Sequence, residues 1–154
     1  MKMSKQGPNR AKFGMHILAV ARLWRRAADQ ALDDCGLSHA TAMPLLTLSR
    51  LGDNVRQGVI ADQLGLEGPS LVRVVDLLLA EGLVTRAEDR ADRRAKILSL
   101  TKAGRARVAE IEDILARLRA ELLADVGDEE LDAMVGVLKR LEEKLLAREA
   151  ESDT

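Results

Sequence analysis

Aromatic side chains are nearly absent from this 154-residue chain, which has one Phe, one Trp and no Tyr. A platform for stacking unpaired bases is therefore missing, which argues against single-stranded RNA as the partner. Cys35 is the only cysteine, so no intramolecular disulfide can form, and a reducing compartment with a cytoplasmic location is the expectation. Its sequence neighbours Asp33 and Asp34 disfavour a thiolate, so Cys35 reads as an inert residue at a helix end. No stretch approaches the roughly 18 consecutive apolar residues of a membrane span. The basic residues 1–14 run into an arginine-punctuated amphipathic stretch and so do not read as a signal peptide. Enzyme signatures are missing too: there is no nucleophile elbow, P-loop, GxGxxG or HExxH pattern. His16, Cys35 and His39 have no metal-ligand spacing, and neither a metal nor a cofactor is expected.

What is present is an apolar fraction of 47%, enough for one packed domain built from Leu, Val, Ile, Ala and Met. The net charge of −1 hides a strong asymmetry. Residues 1–35 carry a net +4, residues 36–85 a net −2, residues 86–107 a net +5 and residues 108–154 a net −8. Surface charges act over about 8 Å at physiological salt, so the local field decides whether a polyanion is attracted.

Periodicity supplies the elements. Phe13, Ile17, Val20 and Trp24 recur at helical spacing, predicting an amphipathic helix over residues 13–32 that Gly36 ends. Ser38 is a candidate cap for a second helix running to Leu51, with Pro44 inside it as a kink or a later start. From Gln57 to about Ala80, two short helices separated by Gly65 and by Gly68-Pro69-Ser70 read as a helix-turn-helix. Leu71, Val74, Val75 and Leu78 form a buried stripe, which leaves Pro69, Ser70, Val72, Arg73 and Asp76 on the opposite face. Residues 83–86 and 95–100 alternate loosely around a charged segment, predicting a two-stranded hairpin. Thr101 caps a long helix with Val108, Ile111, Leu115, Leu118 and Leu122 on one side, and a last helix runs from Asp128 to about Ala147.

That order predicts a mainly α (α+β) fold: a winged helix-turn-helix with a two-stranded wing, and N- and C-terminal helices for dimerisation. The division expected is 1–36 for an N-terminal dimerisation helix, 37–101 for the DNA-binding lobe and 102–154 for C-terminal dimerisation helices. A helix fits a major groove about 12 Å wide, while a basic hairpin reaches the adjacent minor groove or the backbone. Arg73 suits a phosphate or a guanine edge, and Arg90, Arg93, Arg94 and Lys96 give the wing its positive charge. Asp89 or Asp92 is expected to hold a wing arginine by a bidentate salt bridge. The end helices have long apolar stripes that a small core cannot cover, so pairing of two chains is expected.

The run Glu81-Gly82-Leu83-Val84, then Asp89-Arg90-Ala91-Asp92-Arg93-Arg94-Ala95-Lys96, then Leu100-Thr101-Lys102-Ala103-Gly104 resembles the wing signature of the MarR family of winged-helix regulators. Within that family it resembles the SlyA-like branch most. The resemblance implies a homodimer that binds a pseudo-palindrome in double-stranded DNA and is released by a small aromatic or anionic effector. Position by position, it implies a recognition-helix face at Pro69, Ser70, Val72 and Arg73 and a wing signature at Asp89, Arg90, Asp92 and Arg94. Val72 stands where many relatives have a polar residue, which favours contact with a thymine methyl over a base hydrogen bond. His16, Trp24 and Met43 are the candidates for an effector pocket. The expected function is a ligand-responsive repressor. The rival reading is a dimeric ligand- or protein-interaction module whose winged helix does not bind DNA, and the retained wing arginines speak against it.

Overall fold

The computed structural model describes residues 7–152; the first six residues of the basic N-terminal stretch lie outside them. Among the described residues, six helices and three strands follow in the order α1 (Pro8–Asp33), α2 (His39–Leu51), β1 (Val55–Arg56), α3 (Gln57–Leu64), α4 (Gly68–Ala80), β2 (Val84–Glu88), β3 (Lys96–Leu100), α5 (Lys102–Leu122) and α6 (Asp128–Ser152). The expected mainly helical winged helix is present. The sheet, however, has three strands and not only the two of the hairpin: β1 adds antiparallel to β3, giving the order β1-β3-β2. A strand of two residues is too short to show alternation, so periodicity could not reveal it.

The chain divides into one compact unit ending at Leu118 and another beginning at Arg119. In the first unit, aliphatic side chains from five helices and the sheet meet in one core. Leu32 of α1, Leu45 and Leu48 of α2, Ile60 of α3, Leu71 and Leu78 of α4, Leu98 of β3 and Ile111 of α5 are all nearly inaccessible to solvent. Each fully buried Leu or Ile contributes roughly 1.5–3 kcal/mol, which an aliphatic core without aromatics must gather from many residues.

Helix ends are set by local chemistry. Ser38 Oγ accepts the Ala40 N–H at 3.2 Å, which starts α2 where the sequence placed its cap. Pro44 lies inside α2 and is buried, and the helix continues through it from His39 to Leu51. Gly82 takes φ +68° after α4, so the Leu83 N–H reaches back to the Leu78 carbonyl at 2.9 Å and the Gly82 N–H to Leu79 at 3.0 Å. Leu78 and Leu83 are both buried, a hydrophobic contact that fixes the angle at which the chain leaves α4 for the wing. Gly65, at φ +60°, ends α3 in the same manner, with Leu66 N–H on Ala61 at 3.0 Å. That turn sets α3 against α4.

Of the stripe expected on α1, Ile17 is half-buried, whereas Phe13, Val20 and Trp24 are exposed along with Met15, Leu18 and Leu23. The helix meets the core only near its end, at Ala28 and Leu32. In the second unit, α6 is 25 residues long and contains no buried residue. Met134, Val135, Leu138, Leu145 and Leu146 are exposed on it. No helix among the described residues is long and apolar enough to cross a membrane.

Candidate nucleic-acid interface

The geometry of α4 follows from its inner face. Leu71, Val75 and Leu78 are buried and Val74 is half-buried, which locks the helix rotationally and turns Pro69, Ser70, Val72 and Arg73 to solvent. Pro69 stands in the first turn, where its missing N–H deprives no carbonyl of a partner. Asp76, one turn after Val72, accepts from Arg86 of β2 at 3.1 Å. The exposed face of α4 therefore keeps Arg73 as a guanidinium with no ion-pair partner among the described residues.

The wing is the loop between β2 and β3. Its neck closes through Asp89 N–H on the Ala95 carbonyl at 3.0 Å and Ala95 N–H on Asp92 at 2.9 Å. The two aspartates order its backbone: Asp89 Oδ1 accepts the Ala91 N–H at 2.8 Å, and Asp92 Oδ1 accepts the Arg94 N–H at 3.0 Å. Such Asx turns give the loop a fixed path without a two-residue glycine turn. The arginine held by an aspartate is not one of the wing's own, as expected from the sequence, but Arg56 of β1. Its Nε and Nη2 lie 2.7 and 2.6 Å from Asp89 Oδ2. Asp92 has no guanidinium partner among the described residues; its Oδ1 accepts from the backbone of its own turn. The Ala91 N–H and, next, the Arg56 guanidinium hold the Asp89 carboxyl below its ordinary pKa.

Lys96 pairs across the hairpin with Glu88 at 3.0 Å, so its charge is partly compensated. Arg90, Arg93 and Arg94 are exposed, and their guanidiniums have no ion-pair partner among the described residues. A cleft of about 500 Å³ separates the wing from the helix-turn-helix, with Gln57 and Val59 of α3, Gly68 and Val72 of α4, and Arg94 and Lys96 around it. Gln57 Oε1 is buried there without a hydrogen-bond partner.

None of the three effector candidates lines the cleft beside the wing. His16 and Trp24 are exposed on α1, and Met43 is half-buried against the core from α2. A second cavity, about 610 Å³, is lined instead by Leu37, Ser38, Thr41, Leu77, Glu81 and Arg107, among others. Sequence reading also missed the close approach of Asp29 Oδ1 on α1 to His39 Nδ1 on α2, which brings α1 against the first residue of the next helix. Cys35 is exposed. No group of three or more His, Cys, Asp or Glu able to hold a metal ion occurs among the described residues.

Comparison with known proteins agrees with this architecture. The MarR family model matches residues 36–95, from the α1–α2 turn through the wing. The solved structure of the transcriptional regulator PA3341 is 36% identical, with 88% of this chain and 98% of that chain covered and a TM-score of 0.78. A MarR-family transcriptional regulator from Rhodococcus sp. RHA1 is 23% identical over 90% of this chain and 96% of that one, with a TM-score of 0.76. A mutant MarR from E. coli, solved in complex with operator DNA, is 20% identical over 89% and 99%, with a TM-score of 0.72. The last two share the fold. The first carries the likeness at higher identity through nearly the whole of a transcriptional regulator, and with the helix-turn-helix and wing in place this chain belongs to the MarR family.

Proposed function

We propose that the protein is a sequence-specific double-stranded DNA-binding regulator of transcription, acting as a homodimer on a pseudo-palindromic operator in the cytoplasm. One observation carries the reading. The exposed face of α4, with Arg73, and the wing tip, with Arg90, Arg93 and Arg94, bring together on an adjacent helix and hairpin four cations without anionic partners among the described residues; Arg50 on α2 is also unpaired. Arginines left unpaired on a helix and an adjacent hairpin match the two grooves of a duplex. Arg73 meets a phosphate or a guanine edge, and a wing arginine enters the minor groove. Pairing through the apolar faces of α1 and α6 supplies the second half-site reader, with recognition helices roughly 34 Å apart.

Regulation follows from the same geometry. A small aromatic or anionic effector that favours a different separation of the two recognition helices lowers DNA affinity by a population shift, which makes the protein a ligand-responsive repressor. The division into residues 1–36 and 102–154 for dimerisation and 37–101 for DNA binding belongs to this proposal. The test is selection of bound sequences from a random duplex pool, followed by salt-titrated binding of wild type, Arg73→Ala and Arg90→Ala. The expected result is an enriched palindrome, weaker binding by both variants, and a shallower salt dependence for whichever arginine neutralises a phosphate. Failure to enrich any sequence, with binding lost at physiological salt, would overturn the reading.

A further inference from the structure

We infer that Arg56 is a positioning residue for the wing: by gripping Asp89 from the strand that leads into the helix-turn-helix, it fixes how the wing arginines are presented to DNA. The inference rests on the DNA-binding reading above. Arg56 is the last residue of β1 and immediately precedes α3. It sits opposite Ile97 of β3, whose other neighbour across the sheet is Ala87 of β2. From the far edge of the sheet its side chain reaches to the wing's neck and places two nitrogens on Asp89 Oδ2, at 2.7 and 2.6 Å. The other Asp89 oxygen holds the Ala91 N–H at 2.8 Å. One carboxylate thus joins the first turn of the wing to the residue that starts the helix-turn-helix.

Two features separate this arrangement from an ordinary surface ion pair. The Asp89 side chain is only 17% exposed, so its anion is sheltered by the loop that it organises. The contact also uses the planar fork of a guanidinium, which fixes direction as well as distance and which an ammonium cannot reproduce. Besides it, the β1 segment is joined to the hairpin by the pairs Val55 with Leu98 and Arg56 with Ile97 and by Asn54, whose N–H donates to Ser99 Oγ at 2.9 Å and whose Oδ1 accepts from the Ser99 hydroxyl at 3.2 Å, all of them at β3 and none at the wing's neck. The rival role for Arg56, which also borders the cleft between α4 and the wing, is direct contact with a phosphate.

The experiment compares wild type, Arg56→Lys, Asp89→Asn and the double variant in the full-length chain. In the DNA-free protein, amide hydrogen exchange is followed at Asp89, Ala91, Arg94 and Ala95; on the selected duplex, affinity is measured against salt. Positioning predicts exchange at the wing amides faster by about three- to fivefold in Arg56→Lys, because the ammonium keeps the charge and loses only the directional fork. Arg56→Lys then binds the duplex more weakly than wild type, by the fraction of wings it leaves open in each subunit, with the salt slope unchanged. The double variant is no weaker than Asp89→Asn alone, because the second change removes a contact already lost. Unchanged wing exchange in Arg56→Lys overturns the inference while DNA binding stands. A slope smaller by about 0.9 for each arginine lost, in a variant that removes the charge, Arg56→Met, assigns Arg56 to a phosphate and overturns it as well. If wild type itself enriches no duplex, the DNA reading fails first and this inference falls with it, an outcome recognised without any variant.

Discussion

Gly104→Ala is expected to destabilise the protein by about 2–4 kcal/mol, although Ala is the better helix former. Gly104 is buried in the first turn of α5, where Thr101 pins that turn to the end of α4. The Thr101 hydroxyl donates to the Gly82 carbonyl at 2.7 Å and accepts the Gly104 N–H at 3.0 Å, while the Thr101 N–H bonds the Leu83 carbonyl at 3.1 Å. A methyl group on Gly104 would overlap the Leu83 carbonyl oxygen and stand 3.0 Å from its carbon and 3.2 Å from Leu100 Cδ2. The leucine side chain can rotate away, but the carbonyl is backbone and already bonded. Relief requires α5 to move off by about 1 Å, which forces an overpacking cost of roughly 1–3 kcal/mol. It also loosens two hydrogen bonds worth about 1 kcal/mol each. The gain from replacing glycine by alanine in a helix is about 1 kcal/mol, which leaves the net loss stated. For a chain of this size that lowers Tm by about 5–15 °C. Urea denaturation at one fixed protein concentration should show a lower midpoint with an unchanged slope. Gly58→Ala in α3, where a Cβ meets nothing within 4 Å, serves as the control and should stabilise by roughly 0.5–1 kcal/mol. Equal stability of Gly104→Ala and wild type would refute the close-approach argument.

Thr47 is 1% exposed and its hydroxyl has no hydrogen-bond partner. Thr47→Val keeps the shape and removes the buried polar atom, so a rise of about 1 kcal/mol in urea-determined stability is expected, and a loss would show that the hydroxyl is satisfied in solution. Asp89 titrates below its ordinary value of 3.8 because the Ala91 N–H and then Arg56 favour the carboxylate. Its contribution is therefore complete above that value and is lost as the pH falls through the lowered folded pKa. The Ala91 amide shift should hold down to pH 3.8 and move only below it; a midpoint at or above 3.8 would contradict the wing geometry.

The sequence made the helices legible because each has a face to bury. The stripe Leu71, Val75 and Leu78 fixed the outward face of α4 before any coordinate was known, and Gly65 and Gly82 marked turns that only a left-handed residue makes cheaply. Arg56 was not legible. It is 33 positions from Asp89, and its strand of two residues has no period. Nearness along the chain pointed to Arg90, Arg93 or Arg94 as the guanidinium that an aspartate would hold, but the carboxylates bond the wing's backbone, and those guanidiniums are left unpaired. The stripe of α1 was readable as a pattern but not as a destination. Phe13, Val20 and Trp24 recur at helical spacing as core residues do, yet they are exposed.

The charge count along the chain becomes sharper once pairing is known. Residues 86–107 carry a net +5, but Arg86 is held by Asp76, Lys96 by Glu88, Arg105 by Asp53 and Arg107 by Glu110. These pairs lie on the α4, β1–β3 and α5 framework, and their cations have little counter-ion atmosphere to exchange. Arg90, Arg93 and Arg94 at the wing and Arg73 on α4 have no such partner among the described residues, and neither have Lys102 at the start of α5 or Arg50 on α2; the wing and α4 hold those four arginines on the surfaces proposed to meet a duplex. If all four met phosphates in each subunit of a dimer, the slope of log K against log salt would reach about −7. A wing arginine inserted toward base edges reduces that number, so a measured slope between about −4 and −7 is expected. A slope much steeper than −7 would mean that cations beyond these four, whether the unpaired Arg50 and Lys102 or the paired ones, also neutralise phosphates, and the assignment of reading to the wing and α4 alone would have to be abandoned.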